Sequence, residues 1–395
     1  MTDIKTITAY SRLNDAQQAC EHIHQQFINV DTNQVHADID FILFYCSTTY
    51  CLPDVALSMR HLFKDIKVIG CTTAGEITHA GNIEHSMLAI AFSSRYFSIN
   101  AELIESMIDF DLLDAQKTIN RLSDQCESKS LPSTNSLSST KNKAFLLTLL
   151  DGLSFEEEHF LAALNSAAAG IPHFGGTAGS DDNINNTHVY YDGHFFQQAA
   201  VVTMVSTACH FEVFNCQHIK YPTEKLVVTA VDAHSRTVYE LNAEPAAVEY
   251  ARLLNLDVKD LCPTVFALHP LAVKVGGQYY IRSIQKVNEE DLSLTFYCAV
   301  DLGIVLSAVK TEDILHSLSE KLEDISQRYG KPELVLACDC VLRRLEIEHK
   351  NLHNEAQVLN SKYHITGFNT YGEHINGIHL NQTFTGVYIA GELDE

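Results

Sequence analysis

The stretch from Gly377 to Thr385 reads Gly-Ile-His-Leu-Asn-Gln-Thr-Phe-Thr. Read as a strand, it puts His379, Asn381, Thr383 and Thr385 on one face and Leu380, Gln382 and Phe384 on the other. Such a polar face either meets water or lines a ligand cavity. Arg343 and Arg344 follow an apolar run near the start of a helix. Guanidinium forks and free N–H groups there suit an anionic group. Pairing with Glu346 or Glu348 is the competing reading. His269 stands before Pro270, and Cys262 before Pro263, as weaker ligand candidates. Cys71 and Ser154 are candidate nucleophiles, but there is no Gly-x-Ser-x-Gly elbow and no triad order.

A second signal is a phrase that occurs three times: VIGCTTAGEIT (68–78), HFGGTAGSD (173–181) and ITGFNTYGEHINGIHLNQTFTG (365–386). Each runs from apolar residues through glycine and small or hydroxylic residues to a second glycine. Glycine permits positive φ or close backbone approach. Thr72, Gly75, Glu76, Gly175, Gly176, Tyr371, Gly372 and Glu373 are therefore candidates to line a polar pocket. The plainer alternative is three tight turns. No copy is a dinucleotide fingerprint or a phosphate loop.

The elements around these phrases repeat as well. Apolar runs precede each copy (Phe41–Tyr45, Ala144–Leu150, Leu334–Ala337) and follow it (Met87–Phe92, Ala199–Val205, Phe384–Ala390). Repetition of strand, helix, strand, glycine-rich loop and strand predicts an α/β fold. Helices are expected from an Asn14 cap to about Ile28, over Asp54–Phe63 after Pro53, and over Leu112–Cys126. Another is expected from a Ser154 cap, with Glu157 as its capping-box partner, to Gly170. Later ones are expected over Pro245–Leu254 and over Glu312–Tyr329, where Ile314, Leu318, Leu322 and Ile325 form one stripe. Met87–Phe92 and Phe97–Ile104 look like sheet partners. A hairpin is expected from Lys225 to Leu241, and strands over Val265–His269, Tyr279–Ile284 and Leu292–Ala299.

A chain of 395 residues suggests two domains, placed at 1–211 and 212–395, with a mobile serine-rich loop at 127–143. Net charge of −23 argues against nucleic acid or an anionic membrane and leaves room for a basic protein partner. No apolar run is long enough to cross a membrane, and the N-terminus lacks a signal-peptide pattern. Eleven cysteines without export signals read as reduced thiols in a cytoplasmic protein. A homo-oligomer is left open.

Taken together, Gly70–Glu76, Gly175–Gly179, Cys340-Val-Leu-Arg343, Gly367–Glu373 and His379–Thr383 resemble the FIST family of bacterial sensory proteins, over about Phe41 to the C-terminus. The ending, with His269-Pro-Leu271 and Phe296-Tyr-Cys298, is most similar to the NosP-type nitric-oxide-sensing haemoproteins. The resemblance implies an N-terminal and a C-terminal FIST domain, no enzyme activity, and b-type haem responsive to nitric oxide. It also implies control of a histidine kinase or cyclic-di-GMP enzyme on another chain. The residues themselves then suggest His379 as first iron ligand, His269 as second, Cys262 or Cys298 as thiolate alternatives, and Arg343 as a propionate partner. Rival expectations are a FIST receptor for a metabolite such as an amino acid, and a thiol-dependent hydrolase using Cys71.

Overall fold

The computed structural model describes residues 5–29, 32, 34–128, 143–181 and 186–391. The fold is α/β, with several mixed sheets and two domains. The repeated phrase marks a unit used three times. Each unit has a lead strand, one or two helices, a bend strand parallel to the lead, a hairpin, and a return strand antiparallel to the lead. The lead strands are Ile39–Ser47, Lys143–Leu150 and Pro332–Cys340. The bend strands are Lys67–Thr73, His173–Thr177 and Ile365–Thr370. The return strands are Met87–Ser93, Ala200–Thr207 and Phe384–Ala390. An outer strand pairs with each return strand: Thr6–Ser11, Phe97–Ile104 and Phe211–Cys216.

The hairpins tie the units into a ring. Glu76–Ile83 of the first unit joins the third sheet beside Gly367 and Phe368. Val189–Phe196 of the second joins the first sheet beside Ile69–Cys71. Glu373–Leu380 of the third joins the second sheet beside Phe174–Gly176. Each of the three sheets therefore has six strands, the last two borrowed from another unit.

Alternation along the lead strands accounts for the layers. Phe41, Leu43 and Tyr45, then Phe145, Leu147 and Leu149, then Leu334, Leu336 and Cys338 point into one central core shared by the three sheets. Residues between them face helices outside. Ile42 and Phe44 meet Ile23 and Met59, Leu146 and Leu150 meet Leu122 and Phe160, and Val335 meets Leu318 and Leu322. Strands covered on both faces need the near-continuous apolar runs seen in the sequence. The third unit carries a long insertion, an antiparallel sheet built from strands between Ile219 and Thr311 with its own core around Tyr250, Phe266 and Leu294.

Several expectations need correction. The first helix is capped by Asp15, not Asn14, and runs Ala16–Gln26. The helix expected from Ser154 begins at Glu157, because the Ser154 hydroxyl bonds within its own turn, to Asp151 O and Glu156 N. Met87–Ser93 and Phe97–Ile104 are not partners, since the second crosses to the neighbouring sheet. Val265–His269 is no strand; Pro263–Leu268 is a short helix opened by its proline. Gly377–Thr385 is not continuous: Ile378–Leu380 closes the hairpin, Gln382 turns at φ 50°, and the return strand starts at Phe384. Most of the serine-rich loop, 129–142, lies outside the described residues.

Candidate functional site

The three phrases end in equivalent bends: Thr73-Ala-Gly-Glu76, Thr177-Ala-Gly-Ser180 and Thr370-Tyr-Gly-Glu373. They meet at the centre of the ring. Ala74 N donates to Asn369 O at 3.0 Å and Asn369 N to Gly75 O at 2.8 Å. Gly179 N donates to Thr72 O at 2.9 Å, and Thr177 N to Gly372 O at 2.8 Å. Tyr371 Oη donates to Ser180 O at 3.0 Å. The bends converge, but by packing: a Cβ on Gly179 would sit 2.8 Å from Ala74 N. Gly75 needs its φ of 126°, and a side chain there would meet Arg344. Gly175 and Gly176 are closed in by Thr148, His374 and Thr370.

Two bends carry the same buried carboxyl device. Glu76 accepts from Thr73 Oγ1 at 2.6 Å and from the Ser86 hydroxyl. Glu373 accepts from Thr370 Oγ1 at 2.6 Å and from Thr383 N and Oγ1 at 3.2 and 3.0 Å. Burial pushes both carboxyls up to about 8. Each is raised above its unfolded value, so its stabilising share is full below about pH 4.5 and is lost as pH rises through about 8. The slope is about 1.4 kcal/mol per pH unit for each group. Urea midpoints are thus expected to fall across that window, and less steeply in Glu76→Gln/Glu373→Gln. Midpoints that rise with pH there would contradict the assignment.

The polar face around His379 is buried, so it meets neither water nor an open cavity. Asn381 accepts from Ser283 N at 3.0 Å and donates to Tyr371 O at 3.3 Å. Thr383 is held by Glu373, and Thr385 Oγ1 lies 3.2 Å from Thr383 Oγ1. His379 Nδ1 lies 3.0 Å from Glu158 Oε1, and a Cβ on Gly372 would lie 2.2 Å from His379 Nε2. That enclosure does not fit a haem, which needs an open plane beside its ligand. His269 is exposed at a helix end, where its carbonyl accepts from Tyr250 Oη. Cys262 is exposed, Cys298 buried. Arg343 is 1% exposed and pairs with Asp339 at 2.5 Å, whereas Arg344 does pair with Glu348, at 3.3 Å, and with Glu84 at 2.9 Å. Glu346 instead binds His218 and Lys350. Cys71 lies in the central core with its thiol pushed well up by burial, which removes it as a nucleophile.

A groove of about 550 Å³ opens elsewhere, between the helix Leu52–Leu62 of the first unit and the hairpin borrowed from the second. Tyr50, Pro53 and Ala56 line one wall, and His188, His194 and Phe195 the other. Burial pushes the His188 imidazole down, which keeps it neutral, and its Nδ1 is buried without a partner. Its ring meets Phe195 edge-on at 6.1 Å. The groove reaches the bends by two routes. Thr72 exchanges hydrogen bonds with the His188 backbone at 2.9 and 3.0 Å. Thr48 Oγ1, on the rim, lies 2.7 Å from Ser180 Oγ, beside the carbonyl that Tyr371 holds. Of the candidate site residues singled out in the sequence, Thr72 is the one bonded to this groove's lining, and Pro53, expected there as a helix start, lines it directly. His188 and Phe195 carry no motif; their one signal is position, in a hairpin just after the second phrase.

The fold is a mixed-sheet α/β ring with a concave groove linked by hydrogen bonds to its centre. Residues 40–244 match the FIST N domain and residues 246–376 the FIST C domain, so the chain belongs to the FIST family. FIST domains are small-ligand sensor domains of signalling proteins. The groove lies within the FIST N match. Comparison with curated proteins finds no match to this chain. Among the described residues, no helix is long and apolar enough to cross a membrane.

Proposed function

We propose that this chain is the ligand-reading part of a signalling pair and that its ligand occupies the groove between Tyr50, Pro53, His188 and Phe195. The observation that carries the reading is the groove of about 550 Å³ itself, lined by Tyr50, Pro53, His188 and Phe195 and tied through the His188 backbone to the first bend. Sites of that size take drug-sized or cofactor-sized molecules. Occupancy is passed through Thr72 and through Thr48 and Ser180 to the bends, where all three sheets meet. A separate histidine kinase or cyclic-di-GMP enzyme reads the result, in keeping with an acidic chain meeting a basic surface.

The first ligand class is haem b, with nitric oxide as the signal. His188 would hold the group, Pro53, Ala56 and Phe195 would flank it, and Arg60, whose stem lies against Gly193, stands near for a carboxylate. Bound there, haem supplies an iron that takes up a diatomic gas. The second class is an amino acid, favoured by the polar rim of Thr48 and Asn186. Haemin titration of the purified chain distinguishes them. A Soret band that nitric oxide shifts and that His188→Ala removes supports haem. No band, with thermal stabilisation by one amino acid of a full panel, supports the second class. Neither response ends the proposal.

A further inference from the structure

Glu158, Cys298 and His379 bring a carboxylate, a thiol and an imidazole together, with their ligand atoms within 4.8 Å of one another. The three come from distant parts of the chain. Glu158 is on the helix Glu157–Ala167 under the second sheet. Cys298 follows the strand Ser293–Phe296 of the inserted sheet, and His379 is on the hairpin of the third unit. The side chain of His379 is 2% exposed, and its Nε2 has no partner. An unpartnered nitrogen at that depth is costly unless something else binds there.

We propose that these three residues form a divalent cation site of the zinc class, clasping the helix Glu157–Ala167 to the inserted sheet and the third hairpin. Thiolate with imidazole and carboxylate is a donor set that zinc accepts and that magnesium or calcium does not. The balance of charge agrees. Arg236 bonds Glu157 Oε2 at 2.5 Å and Glu158 Oε2 at 2.6 Å. Glu157 and Glu158 are balanced by Arg236 and the His379 imidazolium, and a dication that displaces protons from Cys298 and His379 leaves that balance unchanged. Buried charge that is not balanced is expensive. Glu158 also accepts from Ala299 N at 2.8 Å, which holds the Cys298 segment against the carboxylate. This site is separate from the groove and stands or falls independently of it.

The test is to strip the full-length protein with a chelator, reload it with zinc or cobalt, and pass it through gel filtration. The expected result is about one ion per chain, with cobalt giving a thiolate charge-transfer band that Cys298→Ser abolishes while far-UV circular dichroism is unchanged. His379→Gln and Glu158→Gln, which retain side-chain volume, should each weaken zinc affinity at least about tenfold, and they serve if Cys298→Ser does not fold. Protein that retains no ion and shows no cobalt band overturns the proposal. So does zinc binding that both Cys298→Ser and His379→Gln leave unchanged.

Discussion

Gly175→Ala is expected to destabilise the fold by about 3 kcal/mol or more, near the top of the range for a single substitution. A Cβ at Gly175 would lie 1.9 Å from Thr148 O, the carbonyl of its register partner in the lead strand, and 2.7 Å from the His374 ring. The equivalent glycines behave alike. At Gly70 the Cβ would be 2.1 Å from Phe44 O, and at Gly367 it would be 1.9 Å from Ala337 O. No rotamer change relieves a clash with backbone in the middle of a six-stranded sheet. The first glycine of each phrase is therefore a device for bringing the bend strand close to the lead strand, repeated once per unit. Gly276→Ala is the control: φ there is 58° and nothing lies within 4 Å, so only the backbone term of about 1 kcal/mol applies. Urea unfolding of both variants should separate them clearly. Equal midpoints would contradict the packing account.

Arg236→Ala should cost about 3–5 kcal/mol, the range for removing one partner from a buried ion pair. Arg236 is 3% exposed, sits at φ 53° after the hairpin turn of the inserted sheet, and donates to Glu157, Glu158 and the Tyr297 carbonyl. Its loss strands Glu157, which is 1% exposed. Burial already pushes the Glu157 carboxyl up, and Arg236 is the main influence opposing that. Without the guanidinium, Glu157 is expected to take up a proton, so the variant's deficit should shrink as pH falls toward the ordinary carboxylate range. Denaturation of wild type and variant at neutral and mildly acidic pH checks both points. A deficit below about 1 kcal/mol at neutral pH would show that the cluster is more open to water than described.

The repeat itself was legible because its cause is local. Each phrase needs glycine at the close approach and hydroxyls at the bend, and each lead strand, covered on both sides, must be apolar over most of its length. The helix Ile314–Tyr329 was legible for the same reason, its buried stripe falling on Ile314, Leu318, Leu322 and Ile325. What stayed hidden depends on distant partners. Nothing in VYYDGHFF says that this hairpin will leave its own unit and pair with Ile69–Cys71. Without that exchange the groove does not exist, and His188 has no reason to stand out. Glu157 satisfied a capping-box spacing, yet its carboxylate serves Arg236, 79 positions away. His379 was singled out for a strand face that turned out to be interior. Its relevant neighbours, Glu158 and Cys298, lie on other elements that spacing alone could not connect.

The account rests on the groove being the sensory site, and ligand binding to wild type and to His188→Ala tests that most directly. Calorimetric titration with haemin and with each amino acid should find one ligand that binds wild type at a single site and binds His188→Ala at least about tenfold more weakly, a loss of about 1.4 kcal/mol. A ligand bound equally well by wild type, His188→Ala and Phe195→Ala would contradict it and move the sensory site elsewhere in the ring.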